Sequence, residues 1–179
     1  MASDLEIRSL CEDDDRSGFT CGQPDLDRFF RDYAGQNQFK LHLAVTYVAL
    51  LDGAIVGFGT VASGSIERSA LPGQAVRKRL PAYPLPVLRL ARLGVTVSAQ
   101  GRGVGQALIG HVLGLAIELR DRVGCLGVVT DAKPEATQFY ERLGFLRTYL
   151  TEGSLHGGAA PMFLPVDTIA RAATSSRSR

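Results

Sequence analysis

The chain has no tryptophan, two methionines, three cysteines and three histidines in 179 residues. Cys11, Cys21 and Cys125 cannot all pair, and none stands at metal-ligand spacing from another, so neither a disulfide scaffold nor a structural zinc site is indicated. His42, His111 and His156 are scattered along the chain, and no Cys/His nucleophile pair is suggested. The expectation is a protein without a bound metal. No apolar run approaches the ~20 residues of a membrane helix. The start, Met1-Ala2-Ser3-Asp4, lacks the charged-then-apolar pattern of a secretory signal. Cytoplasmic residence without membrane association is therefore expected. Lysine is scarce as well: Lys40, Lys78 and Lys133 are the exceptions among 20 basic residues. The formal net charge is only +2, so bulk charge does not announce a nucleic-acid binder.

What the chain does have is an ordinary apolar fraction, 45%, and enough length to bury one core. One domain over residues 1–173 is expected, followed by a polar, disordered tail at 174–179. Charge is unevenly placed. Arg77-Lys78-Arg79 is a compact basic run in a proline-rich connector, and Arg89 and Arg92 follow on the next strand. Acidic residues gather at 12–15 and 25–32. That pattern reads either as a basic face or as an ordinary solvated run.

Periodicity supplies the elements. A strand is expected over 5–10 and a helix over 25–37, where Leu26, Phe29, Phe30, Tyr33 and Ala34 repeat at helical spacing. Strands at 41–51 and 54–66 flank Asp52-Gly53, a two-residue hairpin signal. One helical turn is expected near 75–80, a central strand over 87–95 and the main helix over 103–122. A strand over 125–130 should run parallel to 87–95, because a helix crosses between them. A short helix over 134–143 follows, then strands at 146–150 and 162–165 divided by a glycine-rich loop at 153–160. Asp167 can cap a last helix at 168–173.

Glycine is plentiful, with 20 in the chain, and its placement is the informative feature. Gln100-Gly101-Arg102-Gly103-Val104-Gly105 lies between the 87–95 strand and the main helix. Such a turn leaves backbone N–H groups free at the positive end of a helix dipole, a ready site for a phosphate. A Walker A loop would need Lys and then Ser or Thr after the last glycine, where Gln106 and Ala107 stand. The dinucleotide fingerprint would need a third glycine where Leu108 or Gln106 stands. Both motifs fail. A plain strand–helix turn remains as the bland alternative.

The pattern that remains, Gln-x-x-Gly-x-Gly at 100–105, resembles motif A of the GNAT acetyltransferase superfamily. Phe139-Tyr140-Glu141-Arg142-Leu143-Gly144-Phe145 resembles that family's motif B, at the family's order and separation. The resemblance covers about residues 4–166. It implies an α/β GNAT fold: a twisted mixed sheet of about six to seven strands, helices on both faces, and splayed central parallel strands. It implies acetyl-CoA as co-substrate, with Leu93, Gly94 and Val95 bonding the pantetheine arm through backbone groups. Gln100, Gly101, Arg102, Gly103, Val104, Gly105 and Gln106 would hold the pyrophosphate, and Phe139 would wall the cofactor. Tyr140 is then the general acid for the leaving thiolate, unless it is only a packed aromatic.

One subgroup is closer still. Cys21-Gly22-x-x-x-Leu26-Asp27-x-Phe29-Phe30, Leu80-Pro81-x-Tyr83-Pro84-x-Pro86, Arg92-Leu93-Gly94-Val95 and Met162-Phe163-Leu164-Pro165 resemble the acetyltransferase toxins of type II toxin–antitoxin modules. In that subgroup Ala is frequent at the Gly94 position and Asp at the Thr96 position. The resemblance implies acetylation of the α-amine of aminoacyl-tRNA, blocked translation, a ribbon-helix-helix antitoxin partner and, as in many such toxins, a homodimer. Arg77, Lys78, Arg79 and Arg92 would meet RNA phosphates, with Arg89 as a further option. An N-acetyltransferase of small amines or protein N-termini, and a catalytically silent acetyl-CoA sensor, stay open as alternatives.

Overall fold

A computed structural model describes residues 4–148 and 158–177. In chain order it contains β1 (Leu5–Ser9), α1 (Pro24–Arg28), β2 (Val45–Leu51), β3 (Ala54–Ile66), α2 (Gln74–Arg79) and β4 (Leu85–Val95). There follow α3 (Val104–Arg122), β5 (Gly127–Ala132), α4 (Thr137–Arg142), β6 (Leu146–Arg147), β7 (Ala160–Pro165) and α5 (Val166–Arg177). Hydrogen-bonded neighbours give a seven-stranded mixed sheet in the order β1-β2-β3-β4-β5-β7-β6. The chain divides into two compact units, Met1–Ala62 with Leu90–Val112 and Ser63–Arg89 with Leu113–Arg179. Strands β3 and β4 and helix α3 run through both.

In the first unit β1, β2 and β3 pair antiparallel. Asp52 and Gly53 turn the β2–β3 hairpin at φ 51° and 79°, the left-handed pair a two-residue turn needs. Thr46 faces Thr60 in register, and their buried hydroxyls bond at 2.8 Å. The core is aromatic. Phe30 lies flat against Phe58 (4.4 Å, 9°), and Phe19 meets both edge-on at 4.8 and 5.4 Å. A second cluster, Ala49, Ala99, Val104 and Leu108, fixes the start of α3. Gly57 makes that approach possible: a Cβ there would come within 2.9 Å of Val104 Cγ1.

In the second unit β5 is buried at Gly127, Val128, Val129, Thr130 and Ala132, the near-continuous burial of a strand covered on both faces. β7 pairs antiparallel with β5 from Gly127↔Pro165 to Ala132↔Ala160, and with β6 at Leu146↔Phe163. Leu126 N–H donates to Pro86 C=O (2.8 Å), and Arg89 pairs with Asp131 (3.1 Å). Contacts that advance together along both strands make β4 and β5 parallel, as their connection through a helix requires. Leu71, Leu85, Val87, Val129 and Phe163 form the core here.

Several boundaries differ from the sequence expectations. The first helix continues beyond Arg28 through π-helical turns Phe29–Tyr33 and Gln36–Lys40. The strand expected from residue 41 therefore starts at Val45, after His42 has turned the chain at φ 53°. The last helix does not stop at Ala173: α5 reaches Arg177. Thr174, Ser175 and Ser176 hydroxyls donate to the carbonyls of Ala170, Arg171 and Ala172, so the polar residues join the helix. His156, the far end of the strand expected at 146–150, most of the 153–160 loop and residues 178–179 lie outside the described residues.

Candidate active site

The turn between β4 and α3 begins with a single 3-10 turn, Val97–Ala99. Gly101 and Gly103 follow at φ 74° and 82°, conformations that side-chain-bearing residues avoid. A Cβ added at either would meet nothing within 4 Å, so the backbone angle demands glycine here and the space beside the turn is open. Ala107 N–H reaches back to Gly103 C=O at 3.0 Å. The amides of Gly101, Arg102, Gly103, Val104, Gly105 and Gln106 donate to no protein acceptor among the described residues. They open the 19-residue helix α3, whose first turn carries no acidic residue. Arg102 and Gln106 are exposed, while Val104 is buried and anchors the helix. Unpaired donors, a helix dipole and open space fit a diphosphate.

The residues before the turn are fastened rather than free. Gln100 was expected among the cofactor contacts, and its exposed side chain is tied to two backbone carbonyls. Its Nε2 donates to Cys21 C=O (2.9 Å) and Val95 C=O (3.0 Å). Thr96 N–H donates to Val56 C=O (2.8 Å), and Thr96 Oγ1 to Thr20 C=O (3.0 Å). That hydroxyl supplies a local anchor at the position where the toxin subgroup often carries Asp. Leu93 and Val95 are half-buried beside the α3 cluster. Gly94 has a reason the sequence did not show: a Cβ would lie 2.7 Å from Phe58 Cε1.

Behind this segment sits Asp27, which the sequence analysis named only within the toxin signature. Its carboxylate is 6% exposed and accepts Cys21 N–H at 2.7 Å and Thr20 Oγ1 at 3.1 Å. Burial pushes its pKa up, but the Cys21 amide and Thr20 hydroxyl outweigh that, and it stays below the ordinary carboxylate value. The Leu26-Asp27 pair inside the quoted signature was the signal that could have found it. Burial and the neighbouring Asp27 push the Cys21 thiol up to about 11, so it is no nucleophile at neutral pH.

In the second unit, α4 carries Phe139 and Tyr140. Tyr140 is 5% exposed, edge-on to Phe139 and Phe145 with both centroids at 5.3 Å. Gly144, at φ 94°, ends the helix and lets Phe145 N–H return to Tyr140 C=O at 3.1 Å. Burial raises the Tyr140 pKa, and a hydrogen bond with Thr130 offsets only part of the rise. The hydroxyl therefore keeps its proton at neutral pH. Phe139 is half-buried.

The basic run forms the last turn of α2. Arg77 and Lys78 line an open hollow of about 500 Å³ together with Arg68, Ser69 and Gln74. Arg68 is tied to Leu80 C=O at 2.8 Å. Arg89, the further option for a phosphate contact, is engaged by Asp131. Arg92 belongs to the first unit, exposed, with its guanidinium 4.6 Å from the Phe29 ring centroid. Among the described residues no group of three or more His, Cys, Asp or Glu could hold a metal ion, and no helix is long and apolar enough to cross a membrane.

Residues 42–147 match a family profile described as "Acetyltransferase (GNAT) domain". This chain belongs to the GNAT acetyltransferase family. The matched span of this acetyltransferase includes both the 100–106 turn and Tyr140. A tRNA-acetylating toxin of Mycobacterium tuberculosis is 34% identical over 139 residues, 77% of this chain and 82% of that protein. AtaT complexed with acetyl-methionyl-tRNAfMet is 26% identical, with a TM-score of 0.84 over 94% of this chain and 99% of that one. A tyrosine-to-phenylalanine mutant of KacT is 25% identical, with a TM-score of 0.84 over 94% and 98% of the two chains. AtaTR bound with AcCoA is 26% identical, with a TM-score of 0.77 over 94% and 98%.

Proposed function

We propose that this acetyltransferase moves the acetyl group of acetyl-CoA onto the α-amine of an amino acid carried on tRNA, acting as the toxin of a toxin–antitoxin pair. The observation that carries the reading is the turn at 101–106, whose amides donate to no protein acceptor among the described residues and where a Cβ at Gly101 or Gly103 would meet open space. The tRNA-acetylating relative and the AtaT complex support the choice of acceptor. Acid–base chemistry agrees. An α-amine has a pKa of about 7.7–8.0 and is roughly one-tenth free base at neutral pH, against less than about one part in a thousand for lysine. Such an acceptor needs no strong side-chain base, and the sequence shows no evident Glu-based base motif near the central strand.

When bound, acetyl-CoA supplies a thioester that an amine can attack. The 101–106 amides and Arg102 would hold its diphosphate, Leu93, Gly94 and Val95 would bond its pantetheine arm through backbone groups, and Phe139 would wall the cofactor. Tyr140 would give its proton to the departing sulfur as the amine nitrogen bonds the acyl carbon and the carbon–sulfur bond breaks, and the surplus amine proton would pass to solvent, which reprotonates Tyr140. Arg77, Lys78, Arg79 and Arg92 contact RNA phosphates. The catalytic domain is taken as residues 1–173, working in the cytoplasm as a homodimer. A ribbon-helix-helix antitoxin restrains it.

The test incubates purified protein with acetyl-CoA and a mixed pool of charged tRNA. N-acetylated aminoacyl esters, together with growth arrest on expression that Tyr140→Phe relieves, support the proposal. Harmless expression with turnover of a free polyamine or peptide would move the substrate to small amines or protein N-termini. Tight acetyl-CoA binding without turnover on any amine would make the chain a sensor.

A further inference from the structure

The Thr20–Cys21 peptide group is held at both ends. Its carbonyl accepts Val97 N–H and Thr96 Oγ1, each at 3.0 Å. Its N–H donates to the Asp27 carboxylate at 2.7 Å, a short charge-assisted bond. The next carbonyl, that of Cys21, accepts Gln100 Nε2 at 2.9 Å. Asp27 also takes the Thr20 hydroxyl at 3.1 Å. A peptide is planar, so fixing the direction of its N–H fixes the opposed direction of its carbonyl. Bonds in series polarise one another, so the buried charge on Asp27 strengthens the grip of Thr20 C=O on Val97 N–H. Three of the residues thus tethered, Thr96, Val97 and Gln100, lead directly into Gly101.

We propose that Asp27 is a positioning residue for the coenzyme turn. It acts through the Thr20–Cys21 strut to hold the 101–106 amides in the geometry that binds acetyl-CoA. The inference rests on the reading that this turn holds the coenzyme. It gives the Cys21-Gly22-x-x-x-Leu26-Asp27 stretch a task in catalysis although none of those residues touches the reacting atoms. Asp27→Ala leaves the Cys21 N–H unpaired and lets the strut rotate. Asp27→Asn keeps one acceptor for Cys21 N–H, and the Thr20 hydroxyl can turn to accept from the new amide, so most of the alignment survives.

The experiment is calorimetric titration of acetyl-CoA into wild type, Asp27→Ala, Asp27→Asn and Val48→Ala, with steady-state kinetics on charged tRNA. Asp27→Ala is expected to raise the acetyl-CoA Kd and KM about tenfold or more, the scale of one lost hydrogen bond to a charged group. Asp27→Asn should raise them about two- to threefold. The KM for charged tRNA, and kcat at saturating acetyl-CoA, should stay near wild type in both. Val48→Ala opens a cavity in the same aromatic cluster and should lower the melting temperature without moving the acetyl-CoA Kd. If Asp27→Ala does not fold, Asp27→Asn is read by NMR, where faster exchange of the Gln100 side-chain amide protons is expected. Unchanged acetyl-CoA affinity in Asp27→Ala, or equal weakening in Val48→Ala, overturns the assignment. So does an unchanged Gln100 exchange rate in Asp27→Asn. A wild-type protein that fails to bind acetyl-CoA instead removes the coenzyme reading itself.

Discussion

Gly94 has an aromatic ring where its side chain would be. Phe58 is fully buried and stacked on Phe30, so it cannot swing away from a new methyl group. Gly94→Ala is expected to cost about 1–3 kcal/mol of stability, seen as a lower urea midpoint at unchanged slope. Tyr140→Phe keeps the ring between Phe139 and Phe145 and removes only the hydroxyl. The expected result is kcat lowered about 10²–10⁴-fold, with a melting temperature close to wild type. A variant as active as wild type would return Tyr140 to the role of a packed aromatic. Both residues stood in quoted motifs, yet the motif told what Tyr140 offers and not what Gly94 avoids. Contact with Phe58, far away in sequence, supplies the second reason.

At the scale of elements, the first helix and the segment before it are stabilised by acidic groups that work only when ionised. Asp14 accepts two 2.8 Å bonds from Arg8 and another from Cys11 N–H at 2.8 Å, and these hold it below its ordinary pKa. Asp27 is also depressed, its burial being outweighed by its hydrogen-bond donors. A carboxylate with a lowered folded pKa adds stability that is complete above the unfolded value of about 3.9 and is lost as pH falls through the folded value. Thermal melts should therefore be nearly flat from pH 7 to pH 5 in this respect and fall toward pH 3. Asp27→Asn should flatten part of that fall, and an identical pH profile would remove Asp27 from its cause. Helical spacing showed where this region coils, but not that it continues in π-turns to Lys40, because apolar spacing cannot tell i+4 from i+5 hydrogen bonding.

For the whole molecule the decisive variable is salt. If α2 meets RNA phosphates, log affinity for charged tRNA should fall linearly with log salt, by about 0.7–0.9 per phosphate neutralised. Arg77→Ala and Lys78→Ala should each reduce that slope by about 1 while leaving the acetyl-CoA Kd unchanged. Filter binding at several salt concentrations measures both, and slopes equal to wild type would move the RNA contact elsewhere. Arg89 is not part of this prediction, since Asp131 already holds it. Sequence lists charges, and only the fold shows which have been paired.

The succession of elements, the Asp52-Gly53 hairpin, the parallel β4–β5 pair and the glycine turn followed from local rules alone. Apolar period, turn chemistry and the geometry of a crossover act within a few residues or one connection. The aromatic stack that excludes a side chain at Gly94, the tethering of Gln100 to the Cys21 carbonyl and the burial of Asp27 depended on tertiary structure. The Gly94–Phe58 and Gln100–Cys21 contacts join residues tens of positions apart, and hydrogen-bond direction and steric room exist only once such positions meet.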